Sequence, residues 1–183
     1  LAPGEVVRMA TPLEISVPST CVNGSQSTIE LSGTFQSRGQ SLAQTAQATF
    51  VTGVSSLVEA EGDGLAIPIE DVGPEISHTL TITSSGPIRD VGVTVRLTHT
   101  SISDLVMYLQ HPDGTRVPLA IRRGTSTDGL HTVYGMGGDE PGELAGLAGK
   151  SMRGDWAVVV QDRASIDIGT LDYVKLRILG YVN

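Results

Sequence analysis

Residues 90–119, DVGVTVRLTHTSISDLVMYLQHPDGTRVPL, decide how the rest of the chain is read, because three runs of period two are joined there by two turn signals. Val91, Val93, Val95 and Leu97 alternate with Gly92, Thr94, Arg96 and Thr98, so an extended chain puts a β-branched stripe on one face and small or polar groups on the other. Leu105, Met107 and Leu109 repeat the pattern. His111-Pro112-Asp113-Gly114-Thr115 interrupts it: proline has no N–H for a sheet ladder, and Asp-Gly favours the positive φ of a tight hairpin. Val117, Leu119 and Ile121 resume it. A helix would scatter these side chains around its circumference, so the stretch predicts consecutive antiparallel strands.

The same alternation extends outward on both sides. Ile76, Leu80 and Ile82 alternate with Ser77, Thr79, Thr81 and Thr83, and Gly86-Pro87 turns the chain into the stretch above. Two closing strands follow from Trp156, Val158 and Val160 and from Val174, Leu176 and Ile178, with Trp156 reading as core. Between Arg122 and Lys150 the composition is Gly-rich and too broken for long strands, which reads as a long loop.

The first third differs. Leu13, Ile15 and Val17 predict one short strand and Ile29, Leu31 and Phe35 another, with Asn23-Gly24 as the turn between them. Leu42, Ala46, Phe50, Val54 and Leu57 recur at near-helical spacing, whereas Thr49, Val51 and Thr52 suit a strand, so that segment is open between the two. Glu61-Gly62-Asp63-Gly64 reads as a solvated join. The expected organisation is a small β-rich segment over residues 1–60 and a sandwich over residues 61–183.

Composition bounds the function. Of 183 residues, 39% are hydrophobic and 17% charged, with 22 Gly and 9 Pro, which suits an all-β protein with many connections. The net charge of −8 disfavours nucleic acid and anionic lipid as partners. No apolar run reaches the roughly 18 residues of a membrane helix. Cys21 is the single cysteine, so an intrachain disulfide framework is excluded. The chain opens with Leu1, which reads as a fragment of something longer.

His99-Thr100, Asp104-Leu105, Leu109, Pro112, Gly114-Thr115 and Leu119, then Gly154-Asp155-Trp156 through Ala164, and Asp167-Ile168-Gly169-Thr170-Leu171, resemble in order the P domain, or Homo B domain, found behind the catalytic domain of kexin, furin and secreted bacterial subtilisin-like proteases. Ser101-Ile102-Ser103 departs from the Tyr and Gly usual there, and Tyr173 stands near the place of a second Trp. The resemblance implies a jelly-roll sandwich of about eight strands, no catalytic residues in this chain, and a catalytic protease domain as partner. It also implies a secreted or cell-surface location, stabilisation or regulation of that domain, and a Ca²⁺-dependent parent. Two other readings of such a sandwich are a carbohydrate- or surface-binding module and an assembly module, and a P domain can also follow a secreted metalloprotease.

Carboxylates are the candidate site residues. Asp162, Asp167 and Asp172 are spaced by five in a turn-rich segment, and Asp104 begins a strand. Hard Ca²⁺ takes six to eight oxygens, which loops at one edge of a sandwich can supply, so Asp104, Asp162 and Asp167 are candidate calcium ligands. The competing reading is that they accept backbone N–H groups and hold turns. His99 is expected to hydrogen-bond a loop, and the four histidines lack zinc-site spacing. Gly124-Thr125-Ser126 lacks the residues that follow a subtilisin-type nucleophile and has no His or Asp partner motif. Arg153-Gly154-Asp155 reads as a turn, Arg122-Arg123 as a solvated strand end, and Asn23-Gly24-Ser25 as an incidental sequon.

Overall fold

The computed structural model describes residues 22, 24–37, 40–122, 129–138 and 143–182. The expected strand at Leu13–Val17, Cys21, Asn23, Arg123 and the Gly124-Thr125-Ser126 run lie outside them. The chain divides into two units, residues 1–52 and 53–183.

In the first unit, strands β1 (Ser25–Ser37) and β2 (Gln40–Thr52) pair antiparallel in unbroken register, from Ser25 opposite Thr52 to Ser37 opposite Gln40. The segment left open between helix and strand is therefore strand. Its threonines and valine lie across from partners that reward extension: the Thr28 and Thr49 hydroxyls are 3.3 Å apart, and Gln47 donates to Glu30 at 3.0 Å.

Among its described residues the second unit holds eight strands: β3 (Ser56–Ile69), β4 (Ile76–Ile82), β5 (Ile88–His99), β6 (Leu105–Gln110), β7 (Arg116–Ile121), β8 (Leu130–Gly135), β9 (Gly154–Asp162) and β10 (Gly169–Gly180). They form two four-stranded antiparallel sheets in the orders β3-β10-β5-β8 and β4-β9-β6-β7. Counted from β3, that is 1-8-3-6 facing 2-7-4-5, the strand order of a jelly roll. The period-two stripes become the core. Val91, Val93, Val95, Leu97, Val174, Leu176 and Ile178 from one sheet meet Leu105, Met107, Leu109, Trp156, Val158 and Val160 from the other. Trp156 is fully buried; its indole N–H donates to Met152 O at 2.9 Å, and its ring meets His111 edge-on at 4.7 Å.

Two expectations change. The join at Glu61-Gly62-Asp63-Gly64 lies inside β3, and the units part instead between Thr52 and Gly53. These glycines have packing reasons: a Cβ on Gly62 would fall 2.4 Å from the His78 imidazole of the facing sheet, while Gly64 takes φ 62° where the β3–β10 register shifts. The Gly-rich stretch between Arg122 and Lys150 is not all loop. It contains β8, which pairs along β5, and a 3₁₀ turn (Leu144–Leu147) whose two leucines enter the core. Its periodicity is too short to see because one large buried side chain, Tyr134, followed by the buried Gly135, anchors the strand.

Candidate functional site

Among the described residues, three connections cross between the sheets at one pole of the sandwich, residues 70–75, 100–104 and 163–168, where Arg122 follows β7 and Gly129 precedes β8. Each connection follows a strand that ends at this pole, and they are tied to one another. Gln161 Nε2 donates to Gly73 O at 2.9 Å, Arg163 N to Asp104 O at 3.0 Å, and the Thr100 hydroxyl to Asp167 Oδ1 at 2.6 Å. Arg122 N donates to Leu105 O at 2.9 Å and Gly129 N to His99 O at 3.2 Å. The described part of the rim is tied together by hydrogen bonds rather than built of independent loops.

Under the rim lies a sealed polar pair. Asp162 closes β9 and His99 closes β5, and both side chains are fully buried. His99 Nε2 stands 3.5 Å from Asp162 Oδ2, and neither atom has a hydrogen-bond partner among the described residues. Asp162 Oδ1 accepts Ala164 N–H at 3.0 Å, and His99 Nδ1 lies 2.9 Å from Ser101 O and 3.2 Å from Ser101 N. His99 thus bonds a loop, as expected, and Asp162 holds the turn after β9. With one ring nitrogen spent on Ser101 and the other facing Asp162, His99 has no nitrogen left to take a proton from a nucleophile.

The other carboxylates face elsewhere. Asp104 sits on a 3₁₀ turn (Ile102–Asp104) with Oδ1 3.8 Å from Arg122, and Asp167 accepts the Thr100 hydroxyl. Asp172 takes hydroxyls from Thr98 at 2.9 Å and Thr170 at 2.7 Å. Asp104, Asp162 and Asp167 share the rim but turn to different partners, and among the described residues no three His, Cys, Asp or Glu side chains gather as a metal site. A Ca²⁺ ion takes six to eight oxygens, so these carboxylates would need backbone carbonyls or water to complete a shell.

Charges on the outer face of the first sheet are paired among themselves. Arg96 bonds Asp63 at 2.9 Å and lies over the Tyr173 ring, while Lys175 reaches Glu59 at 3.0 Å and Glu61 at 3.7 Å. Partial burial, with the Glu61 carboxylate beside it, raises the Tyr173 phenol above its ordinary range, and Glu59 raises Lys175. These exposed pairs satisfy one another and contribute little each. At the opposite pole, the Asp113 carboxylate is held far below the usual range by Lys150, then by Thr115 and His111. It bonds Thr115 N at 2.8 Å, locking the Asp-Gly hairpin.

Sequence reasoning named His99 and Asp162 separately and missed that they pair. The available signal is positional: each ends a core strand at the same pole. Arg153-Gly154-Asp155 starts β9 and does not tip a loop; Asp155 accepts the Thr81 hydroxyl at 2.7 Å, and a Cβ on Gly154 would meet Pro112. Trp156 is core and unavailable to a sugar.

Comparison with known proteins agrees with this architecture. Residues 88–178 match the model of the proprotein convertase P-domain. The chain is 37% identical over 112 residues to a calcium-dependent protease of Trichormus variabilis, covering 57% of this chain and 16% of that one. It is 34% identical over 111 residues to a calcium-dependent protease of Nostoc sp., with the same coverages. The matched stretch therefore spans about one sixth of each relative's length. Among solved structures, the serine protease of Aeromonas sobria in complex with its chaperone superposes at a TM-score of 0.50 and 22% identity. That match covers 70% of this chain and 27% of that one, a likeness of fold.

Proposed function

From residues 88–178 belonging to the proprotein convertase P-domain family, we propose that this chain is the accessory part of a secreted bacterial serine endopeptidase of the subtilisin type, and that it stabilises the catalytic domain without cutting peptides itself. The observation that carries the reading is the pair of relatives named calcium-dependent protease, each aligned with this chain over only 16% of its length. The remainder of such a protein is where its catalysis would reside. The buried His99–Asp162 pair supports the accessory role, because this His–Asp contact is committed to holding loops.

The physical mechanism is linkage. A surface that binds the folded protease and not the unfolded one shifts its unfolding equilibrium, and tethering within one polypeptide sets a high local concentration. An effective concentration of roughly 1 mM against an intrinsic Kd of roughly 10 µM stabilises by about 2.7 kcal/mol. Calcium belongs to the same reading, supported by the relatives' name. Asp104, Asp162 and Asp167 are the ligands this reading proposes, and calorimetric titration of this chain with Ca²⁺ is expected to give heat and a raised melting temperature that Asp162→Asn abolishes; no heat and no change in melting temperature would remove them.

The test of the function is deletion of residues 53–183 from the full-length protein. The expected outcome is a protease that inactivates several degrees lower and degrades itself faster. Unchanged thermal inactivation and autolysis would refute the accessory role.

A further inference from the structure

The rim presents three aliphatic side chains to solvent: Val72 is 59% exposed, Ile166 89% and Ile168 65%. They lie on neighbouring, oppositely running loops. The register pairs Ile69 with Gly169 and Ile76 with Val160, so residues 70–75 and 163–168 are bracketed between the same two anchors. Val72 is three residues beyond Ile69, and Ile166 three residues before Gly169. Both are β-branched and both sit in the left-handed region, at φ 48° and 95°, a conformation such residues avoid. Apolar groups held out by strained backbone on hydrogen-bonded loops suit a surface that is buried when the protein is assembled.

Charge narrows the partner. Glu70, Asp71 and Asp167 border the aliphatic groups, with Arg163 at the start of the second loop, and the three carboxylates form no ion pair among the described residues. Three acids against one guanidinium leave this face acidic, which disfavours an anionic lipid surface or a second acidic face. An apolar recess edged by Lys or Arg fits. We infer that Val72, Ile166 and Ile168 form the face that docks on the catalytic domain of the same polypeptide, with Glu70, Asp71 and Asp167 meeting basic groups around that domain's recess. The inference rests on the accessory reading above and adds which pole of the sandwich makes the contact. Most of each relative's length lies outside the stretch matched to this chain, so a tethered partner is at hand.

The experiment uses the full-length protein carrying Ile166→Ser and Ile168→Ser, with Leu57→Ser as control; Leu57 is 54% exposed at the start of β3, away from the rim. The rim variant is expected to lower the midpoint of protease inactivation by several degrees and to speed autolysis, approaching the protein that lacks residues 53–183. The control should match the parent. The same double substitution in the 183-residue chain should leave the Trp156 fluorescence melt unchanged, showing that the sandwich still folds. Glu70→Lys with Asp71→Lys should also weaken the protease, less so at high salt. If the rim variants behave as the parent while the deletion is destabilising, the docking face is elsewhere and the accessory reading stands. If the deletion has no effect, both fall.

Discussion

The buried contact between His99 and Asp162 predicts strong coupling between two residues 63 positions apart. Replacing Asp162 by Ala removes the acceptor of Ala164 N–H and leaves His99 Nε2 facing a void in a fully sealed site. Leaving one polar group of a buried pair facing an apolar surrounding costs roughly 1–3 kcal/mol. His99→Leu should cost a similar amount, since it strands the carboxylate. The double variant leaves neither polar group exposed to an apolar surrounding, so its cost should fall short of the sum by about 2 kcal/mol. Trp156 is the single tryptophan and is fully buried in the same unit, so urea unfolding followed by its fluorescence reports this unit and not the β1–β2 hairpin. With a urea slope of roughly 1.5 kcal/mol/M, each single variant should move the midpoint down by roughly 1–2 M. Additivity to within about 0.5 kcal/mol would show that the two side chains do not interact, and the account of the rim as braced from beneath would be wrong.

Two further outcomes follow from local geometry. Gly169→Ala places a Cβ 2.1 Å from Thr98 O and 2.7 Å from the His99 ring, so unfolding should show a loss of about 3 kcal/mol, whereas Gly114→Ala, at φ 89° with open space around it, should lose only about 1 kcal/mol. The Asp113 carboxylate is depressed by Lys150, so its contribution to stability is complete above the ordinary carboxylate range near pH 4 and is lost as pH falls through and below it. Lys150→Met should therefore flatten the acid side of the melting-temperature profile, and because the pair is exposed the difference should shrink at high salt. A Lys150→Met profile parallel to that of the parent would contradict the assignment.

Much of the sandwich was legible in the sequence because strand signals are local. A β-branched residue at every second position, with Pro, Asp and Gly between the runs, specifies strand, face and turn within ten residues, and that is how the core stripes through Val91–Leu97, Leu105–Leu109 and Trp156–Val160 were read. The family resemblance then supplied the jelly-roll order. Strand β8 was hidden because an edge strand with a single large buried side chain carries almost no periodicity. Gly62 and Gly64 looked like a linker because glycine's reason for being there, a histidine from the facing sheet in one case and a register shift in the other, lies about 16 and 110 residues away. The rim follows the same rule. Composition and spacing named Asp104, Asp162 and Asp167, but which way each carboxylate turns depends on which loop end the topology sets beside it. Alternation is written into neighbouring residues; partnership between His99 and Asp162, and the exposure of Val72 beside Ile166, exist only once distant strands have closed the two sheets upon one another.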